Sequence, residues 1–364
     1  MNEFKLYPHQ QDVIDQVEAE MSFNAGETII VRAVTSFGKS AVIAGLCKLY
    51  QNQHLIILLN IEPLIDQIAE FLDLAKVDYS ILKAKRESEF DPSKNIQICF
   101  SQTYYARASK LNLKANIVIQ DEIHREYHTQ RTMKLLNDLK PDYRIGLTAT
   151  NWDSNGFALH NSTTLHTVGA KELTEMKYIA PLKYYVPFKA QKKDYSKVKK
   201  SGNDYSISSL NEISNTEDHM NIMIDSLKQL KAKDKKILVF TNSIEQCNLA
   251  TSFLVKNGYS AISYHSKNSD ADNTRILDSF KHDRPFYGLN EDEQSLFNQS
   301  AEPAPIKVLC SVAKLTTGFS VNDIDIGVIL NKSLIRSKIM QQYGRLMRIH
   351  NNIEQQINKI IDNF

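Results

Sequence analysis

The sequence has few cysteines, and they are far apart. The four are Cys47, Cys99, Cys247 and Cys310, and the chain has neither a CxxC pair nor a histidine-rich segment that could complete a metal site. Disulfide frameworks and zinc centres both use cysteines at close or regular spacing. The pattern therefore disfavours a secreted, disulfide-bonded protein and a zinc site, and it predicts buried thiols in a reducing cytoplasm.

Long hydrophobic runs are also missing. The longest uninterrupted apolar stretch covers residues 55–59, whereas a helix needs about 20 apolar residues to cross a bilayer. The opening segment, MNEFKLYPHQ, has no apolar core and no cleavage pattern of a signal peptide. We therefore expect a cytoplasmic protein without a membrane partner.

Neither sign of charge is in large excess. Lysine and arginine total 44 and aspartate and glutamate total 42, which gives a net charge of +2. Binding to nucleic acid would therefore depend on a local basic patch. With 42% hydrophobic and 24% charged residues, the chain can bury a core and is unlike disordered sequences. Its 364 residues leave room for about two domains.

Short apolar runs alternate with amphipathic segments in both halves of the chain. The strand-like runs are residues 28–31, 55–59, 96–100, 117–119 and 144–147 in the first half, and 237–240, 261–264, 307–310 and 327–330 in the second. Apolar residues at helical spacing lie between them, namely Ile61, Leu64, Ile65, Ile68 and Leu72, and later Met220, Met223, Ile224 and Leu227. This alternation predicts an α/β fold with parallel sheets flanked by helices.

A lysine-rich segment separates the two halves. Residues 189–200, KAQKKDYSKVKK, hold six lysines in twelve positions and are followed by SGNDYSISS. The composition predicts a solvated loop near the domain boundary, with a nucleic-acid contact as the alternative. A second polar segment, residues 282–305, predicts a surface loop.

The segment AVTSFGKS, residues 33–40, directly follows the first predicted strand and precedes a helix-compatible run. A loop in that place directs backbone N–H groups and the positive end of a helix at a phosphate. Lys39 would reach the β- and γ-phosphates, and the Ser40 hydroxyl would bind Mg²⁺. The strict GxxxxGK[ST] pattern has glycine where this chain has Ala33, so the neighbouring motifs decide the interpretation.

The segment DEIH, residues 121–124, lies at the end of the predicted strand 117–119. Asp121 can hold Mg²⁺ through water while Glu122 polarises the attacking water, and phosphoryl transfer needs both. An acidic helix cap is the structural alternative for such a pair. The GKS upstream favours the chemical interpretation, so the two segments together predict ATP hydrolysis with Mg²⁺.

The order of these motifs resembles that of a superfamily 2 helicase, over residues 7–348. The matching segments are residues 7–10 (YPHQ, a Q-type motif), 33–40, 60–67 (NIEPLIDQ), 100–103 (FSQT), 121–124 (motif II), 148–150 (TAT, motif III), 239–242 (VFTN, motif IV), 311–325 (motif V) and 341–348 (QQYGRLMR, motif VI). Two positions depart from the family pattern. Ser36 stands where the family mostly has glycine, and Asn151 stands where proline commonly follows TAT.

The resemblance implies two RecA-like domains, at residues 1–180 for ATP binding and 181–364 for the helicase C-terminal half, and an ATP-dependent helicase. The residues it implies for nucleotide binding are Tyr7, Gln10 (for the adenine edge), Thr35, Ser36, Phe37, Gly38, Lys39, Ser40 and Gly318, with Ser40 and Asp121 holding Mg²⁺. Those it implies for catalysis are Asp121, Glu122, Gln341, Arg345 and Arg348. The two arginines, three apart and hence expected on one helix face, would close over the γ-phosphate.

The resemblance also implies coupling and nucleic-acid residues. His124, Thr148 and Thr150 would connect the nucleotide site to domain closure, although a polar helix start and ordinary strand-end threonines remain the alternatives. The residues implied to hold the nucleic-acid backbone are Asn60, Pro63, Gln102, Thr103, Thr241, Asn242, Thr316 and Thr317. Turn or cap roles are the alternative for each of these small polar groups. For Tyr104, Tyr105 and Tyr127, burial is favoured over base stacking.

A narrower likeness lies in TTGFSV, residues 316–321, and in the run 337–348, which are similar to phage helicases of the UvsW type. It implies sequence-independent binding of single-stranded and branched DNA, in replication, recombination or repair, by a monomer in bacterial or phage-infected cytoplasm. An RNA helicase, or the motor subunit or clamp of a larger complex, remains the alternative. The side chain of Ser36 limits the φ and ψ angles of its loop. We therefore expect that loop to be mobile, or to occupy the phosphate space until nucleotide binds.

Overall fold

A computed structural model describes residues 4–23, 26–84, 86–111, 113–150, 152–153, 157–187, 195–288, 303–312, 321, 323–348 and 358–362. The chain divides into two units, Met1–Glu175 and Met176–Phe364. Each unit has its own parallel sheet.

The first unit is a seven-stranded sheet in the order β3-β4-β2-β5-β6-β1-β7, and every pair of neighbours is parallel. Its strands are β1 (Thr28–Arg32), β2 (Leu55–Leu59), β3 (Ser80–Leu82), β4 (Ile96–Phe100), β5 (Ile117–Asp121), β6 (Tyr143–Thr148) and β7 (Ser162–His166). Its helices are α1 (Pro8–Phe23), α2 (Lys39–Leu49), α3 (Pro63–Ala75), α4 (Ser101–Leu111), α5 (Gln130–Leu139) and α6 (Ala170–Glu175). Short 3₁₀ turns cover Glu87–Glu89 and Ile123–Arg125.

The register of this sheet brings the two phosphate motifs to one edge. β6 lies between β1 and β5, and Leu147 pairs with Val31 on one side and with Asp121 on the other. Because all three strands run in the same direction, the loop after β1 and the residues after β5 leave the sheet side by side. Ligands of open parallel sheets bind at this carboxyl edge.

The second unit has a six-stranded sheet in the order β12-β13-β11-β14-β15-β8, again parallel throughout, and a separate antiparallel hairpin of β9 and β10. Its strands are β8 (Leu182–Tyr185), β9 (Lys200–Ser201), β10 (Asp204–Tyr205), β11 (Ile237–Thr241), β12 (Ala261–Tyr264), β13 (Val308–Val312), β14 (Ile326–Ile329) and β15 (Asn358–Asp362). Its helices are α7 (Ile207–Ser214), α8 (Glu217–Gln229), α9 (Ile244–Lys256), α10 (Asp270–His282) and α11 (Arg336–Leu346).

The α/β class with parallel sheets flanked by helices is confirmed. Each of the nine predicted strand runs overlaps an observed strand, because both faces of the central strands are covered and their sequences are nearly all apolar. Every residue of β2, for example, is buried. The predicted apolar faces are buried too, with Ile65, Ile68 and Leu72 in α3 and Met223 and Leu227 among those of α8.

All four cysteines are buried, as predicted. Tyr104 and Tyr127 are also buried, and Tyr105 is half-buried with its hydroxyl donating to Glu126. Within the described ranges, no helix has both the length and the apolar character needed to cross a membrane.

The lysine-rich segment differs from its prediction. Its described part begins at residue 195 with a 3₁₀ turn, Tyr195–Lys197, and continues into the β9–β10 hairpin and α7. Local backbone bonds hold it, since the Ser206 N–H donates to the Lys199 carbonyl at 2.8 Å. Residues 195–200 are therefore a turn and a short strand and not an irregular loop, but the lysines among them are exposed, as predicted for a solvated segment. In the second polar segment, Pro285 and Pro305 form an isolated bridge, and residues 289–302 lie outside the described ranges.

Candidate active site

The phosphate loop connects β1 to α2 with two residues in the left-handed region. Ser36 has φ = 68° and Gly38 has φ = 89°, and Gly38 is the N-cap residue of α2. The backbone of Gly38 favours glycine, and a Cβ atom there would lie 2.3 Å from Gln10 Nε2, so the Gln10 side chain would have to move. Ser36 is different, because a residue with a side chain carries a conformational cost in this region that glycine does not.

Lys39, the first residue of α2, is paired with the motif II carboxylates. Its Nζ donates to Glu122 Oε1 at 2.8 Å and lies 3.9 Å from Asp121 Oδ1. Burial opposes a charge on Lys39, but the attraction of Glu122 and Asp121 outweighs burial and raises the pKa of Lys39. The lysine is therefore held as an ammonium ion at the carboxyl edge of the sheet.

The two carboxylates of motif II occupy different environments. Asp121 ends β5, and its Oδ1 accepts the Glu122 N–H at 2.9 Å. Burial raises the pKa of Asp121. Burial also acts on Glu122, but the Lys39 ammonium dominates and lowers the pKa of that carboxyl. Glu122 has φ = 51°, a left-handed conformation that is uncommon outside glycine and concentrates at functional sites.

His124 connects motif II to motif III through Thr148. Its Nδ1 is 2.9 Å from Thr148 Oγ1 and 3.3 Å from Glu122 Oε2. The Thr148 hydroxyl donates to the Thr150 carbonyl at 2.9 Å, so His124 Nδ1 must donate to Thr148. Burial lowers the pKa of His124 to about 4, which keeps the ring neutral at pH 7. The three predicted coupling residues therefore form one hydrogen-bonded chain, from His124 through Thr148 to Thr150, that lies beside Glu122.

Gln10 of the Q-type motif is bonded within the protein rather than directed outward. Its Oε1 accepts the Tyr7 N–H at 3.0 Å, and its Nε2 donates to the Phe37 carbonyl at 3.1 Å. The predicted contact with adenine would require this amide to exchange partners. Tyr7 is 56% exposed, and its ring stacks on that of His9.

The predicted nucleic-acid residues of the first unit all follow strands. Asn60 comes after β2, Pro63 is the first residue of α3, and Gln102 and Thr103 lie in the first turn of α4. The Thr103 hydroxyl accepts the Ala84 N–H at 3.3 Å, which is a structural role.

Gln102 is exposed and lines a groove of about 420 Å³ between α4 and α5. Arg131 and Lys134 line the same groove, and Asp138 lies at its wall. The sequence analysis did not single out Arg131 and Lys134, because both lie on α5, an ordinary amphipathic helix outside the helicase motifs.

Two predicted nucleic-acid residues of the second unit are hydrogen-bonded within the protein. Thr241 is buried, and its hydroxyl donates to the Ser311 carbonyl at 3.1 Å. Asn242 Oδ1 accepts the Lys332 N–H at 3.0 Å, and the Asn242 N–H donates to Gln246 Oε1. These hydrogen bonds connect the ends of strands to neighbouring loops. This is the turn role that was the alternative to nucleic-acid binding for these residues. Thr316, Thr317 and Gly318 lie outside the described residues, as does Asn151.

Motif VI requires one correction. Gln341 and Arg345 lie on α11, but the helix ends at Leu346 with Met347 as its C-cap, so Arg348 lies beyond it. The two arginines therefore do not share a helix face. Both are largely shielded from solvent, with Arg345 9% exposed and the pKa of Arg348 lowered by burial.

Two family models match the chain in succession. The model for the type III restriction enzyme res subunit matches residues 3–152, and the helicase conserved C-terminal domain matches residues 218–350. The first range contains the phosphate loop and motifs II and III, and the second contains motifs IV and VI.

Two curated relatives are viral proteins. "Putative helicase 22" of Sulfolobus islandicus filamentous virus (isolate Iceland/Hveragerdi) is 23% identical over 351 residues, covering 89% of this chain and 58% of its own length. The "51.5 kDa protein" of Lactococcus phage (isolate 7-9) is 22% identical over 324 residues, with coverages of 88% and 62%. The chain thus spans about three fifths of the length of these relatives.

Solved structures match in fold. The type ISP restriction-modification enzyme LlaBIII bound to DNA aligns with a TM-score of 0.67 at 15% identity, over 100% of this chain and 28% of that one. The DUF1998 helicase MrfA bound to DNA and AMPPNP aligns with a TM-score of 0.60 at 15% identity, over 98% and 48%. The two family models and the helicase relative indicate that the chain belongs to the superfamily 2 helicases.

Proposed function

We propose that the chain is a sequence-independent DNA motor that hydrolyses ATP to unwind or translocate along branched DNA. Residues 1–180 would bind ATP and residues 181–364 would form the helicase C-terminal half. The observation that carries the proposal is the contact of Lys39 Nζ with Glu122 Oε1 at 2.8 Å, at one edge of a parallel sheet. The two helicase family models support the motor class.

The chemistry follows from an exchange of partners at Lys39. An arriving γ-phosphate competes with Glu122 for the ammonium ion, because phosphate oxygens carry more negative charge than one carboxylate. Once Lys39 turns to the phosphate, Glu122 is released to orient and polarise the attacking water. The neutral His124 ring, which donates to Thr148, lies 3.3 Å from Oε2 of Glu122, the carboxylate oxygen that does not contact Lys39.

The donor set at this edge fits a magnesium ion. Mg²⁺ prefers hard oxygen ligands, and Asp121 offers a carboxylate while Ser40 offers a hydroxyl whose position is fixed by a 2.8 Å bond from Gln67 Nε2. We propose these two residues as its holders, partly through water. When bound, the ion supplies charge neutralisation to the phosphates. Gln341, Arg345 and Arg348 would add positive charge and hydrogen bonds to the transferring group.

DNA is favoured over RNA as the partner. LlaBIII and MrfA, which share the fold, are each bound to DNA. The UvsW-like segments 316–321 and 337–348 favour branched DNA, and with it a role in replication, recombination or repair as a monomer in bacterial or phage-infected cytoplasm. Polar groups such as Gln102 contact phosphates without discriminating between bases.

A second candidate is the motor part of a larger restriction-type machine. The first half matches a restriction-enzyme subunit model, and LlaBIII is more than three times as long as the part that aligns. Such a motor would translocate on duplex DNA without needing a junction.

The test compares ATP hydrolysis and strand displacement on blunt duplex, forked DNA, a four-way junction and matched RNA at one fixed salt concentration. We expect forks and junctions to stimulate hydrolysis more than blunt duplex of equal length. Equal stimulation by duplex and junction would favour the translocating motor, and a preference for RNA would favour an RNA helicase.

A further inference from the structure

We propose that residues 195–205, called here the lysine hairpin, bind the phosphodiester backbone of DNA beside motif IV. The inference rests on the proposed function and adds a contact region outside every helicase motif described above. It starts from three lysines. Lys197, Lys199 and Lys200 are exposed, and no acidic residue in the described part of the chain forms an ion pair with them.

The hairpin is fixed to the segment that leads into α11. Asp204 Oδ2 accepts the Ser333 hydroxyl and Lys338 Nζ, each at 2.8 Å, and Asp204 Oδ1 accepts the Leu334 N–H at 2.9 Å. Burial opposes ionisation of Asp204, but these three bonds and a fourth from the Tyr205 N–H lower its pKa. A lysine-rich linker that merely joined two domains would not need this attachment.

A second set of contacts connects the hairpin, through the helix α7 that follows it, to the residues directly after motif IV. The Ser243 hydroxyl donates to Asn211 Oδ1 at 3.1 Å, and Gln246 Nε2 donates to the Ser214 hydroxyl at 3.0 Å. Both contacts join α7, which follows the hairpin, to the start of α9. The Ser209 hydroxyl then accepts the Lys199 N–H at 3.1 Å, which connects α7 back to the lysines.

The hairpin therefore lies at the ligand-binding edge of the six-stranded sheet of the second unit. Lys332, next to Ser333, donates its N–H to Asn242 just after β11, and its Nζ lies 5.1 Å from the centre of the Tyr195 ring. The Leu330 N–H donates to the Phe240 carbonyl, so the segment leaves β14 at the carboxyl end of β11. Open parallel sheets bind their ligands at this edge.

These observations define the chemistry of the ligand. Three lysines on a short, doubly attached element present positive charge with little backbone freedom left to lose on binding. The partner that complements this group of positive charges is a polyanion with regularly spaced charges. For this motor, that partner is the DNA backbone. Each phosphate contact contributes to the salt dependence of binding, by about 0.7 in log–log slope for single strands.

The experiment measures binding of a fluorescent single-stranded DNA by anisotropy from 50 to 200 mM salt. The test variant is Lys197→Ala/Lys199→Ala/Lys200→Ala. A matched control is Lys231→Ala/Lys233→Ala/Lys235→Ala, which removes three exposed lysines before β11, at the opposite edge of the same sheet. A third variant with arginine at 197, 199 and 200 keeps the charge. Thermal unfolding is measured for all three.

We expect the alanine variant to lower the slope by about 2, so that between 50 and 200 mM salt it loses about twentyfold less affinity than the wild type. The control and the arginine variant should keep the wild-type slope. An unchanged slope in the alanine variant, or an equal fall in the control, overturns the proposal.

A matched RNA strand that binds with the same lysine dependence would show that the hairpin binds the phosphate backbone of either nucleic acid. If the wild type binds DNA without DNA-stimulated hydrolysis, the proposed function fails while the hairpin is still tested.

Discussion

Each unit contains one lysine that is largely shielded from solvent and paired with two carboxylates. The two lysines lie at opposite edges of their sheets. Lys39 follows β1 and contacts Glu122 and Asp121, whereas Lys236 precedes β11 and contacts Asp323 at 2.5 Å and Asp283 at 3.1 Å. In each case one ammonium ion faces two carboxylates, so neither the residue types nor the burial separates a catalytic group from a structural one.

Strand direction does separate them, whereas backbone conformation does not, because each lysine has a left-handed carboxylate partner, Glu122 or Asp283. At the carboxyl edge, Lys39 lies beside Glu122, and His124 is hydrogen-bonded to Thr148 in the same region. At the amino edge, Lys236 is surrounded by partners that satisfy it, and its backbone N–H donates to Asp325 at 2.9 Å. We infer that the first arrangement is poised to exchange partners and that the second is permanent.

The largest expected effect is at Glu122. Glu122→Gln keeps the shape and Lys39, but it removes the charge that orients water, so hydrolysis should fall by about 10²- to 10⁴-fold while ATP still binds. Lys39→Ala should instead weaken ATP binding itself. Steady-state hydrolysis and equilibrium binding of a fluorescent ATP analogue measure the two effects.

The matched control is Glu70→Gln, an exposed position on α3 in the same unit, which should leave both measurements unchanged. Hydrolysis by Glu122→Gln at the wild-type rate would contradict the role of this carboxylate and with it the contrast between the two lysines.

The next effect concerns Lys236. Lys236→Met removes a cation that is 5% exposed while Asp283 stays 44% exposed, so part of the loss is recovered by hydration. We expect the free energy of unfolding of the second unit to fall by about 2 kcal/mol, well below the loss for a fully buried pair. ATP hydrolysis per folded molecule should not change, since the residue lies at the amino edge. Urea unfolding and the hydrolysis assay measure the two quantities.

The same variant should change the acid sensitivity of the protein. Burial opposes ionisation of Asp283, but its bonds to Lys307 and Lys236 lower its pKa below the ordinary value of 3.8. A carboxyl with a lowered folded pKa stabilises the protein above its unfolded pKa, and that stability is lost as pH falls through the folded value. Wild type should therefore lose stability below about pH 4, and Lys236→Met should lose less of it. A larger acid loss in the variant would count against the assignment.

The sequence predicts the structure most closely where the residues of an element are by themselves enough to identify that element. The strand β2 reads LIILL, so its burial on both faces is visible without knowing its neighbours. The phosphate loop and motif II follow such strands, and parallel strands bring their carboxyl ends together. The edge that holds Lys39 and Glu122 was therefore predictable from residue order alone.

The remaining features depend on contacts that no local pattern records. Gln10 bonds to Phe37, 27 residues away, and Lys236 bonds to Asp323, 87 residues away. The strands of the lysine hairpin have two residues each, which is too short to show an alternating pattern. No glycine or proline marks the end of α11, so the position of Arg348 beyond the helix was not visible in the sequence.

A smaller effect tests the chain from motif II to motif III. Thr148→Val removes the hydroxyl that accepts from His124 while nearly keeping the side-chain volume. We expect about a fivefold loss of hydrolysis with unchanged ATP binding, because one hydrogen bond to a positioning residue is worth about 1 kcal/mol. Thr148→Ser should restore most of the rate, and Thr164→Val on β7 is the control. If the valine and serine variants behave alike, the hydroxyl has no part in coupling.

The smallest effect is at Ser36, where two terms oppose each other. Ser36→Gly removes the cost of a left-handed serine, about 1 kcal/mol, but it also gives the unfolded chain more freedom, worth about 0.5–1 kcal/mol. The free energy of unfolding should therefore change by less than about 0.5 kcal/mol. The loop gains access to conformations that serine disfavours, so the KM for ATP should fall by about threefold or less, with kcat unchanged.

Ser36→Ala is the control, because it keeps the Cβ and should leave the KM for ATP unchanged. A fall in the KM of both variants would assign the effect to the lost hydroxyl instead of the backbone, and a fall in neither would show that Ser36 does not restrict the loop that holds the phosphates.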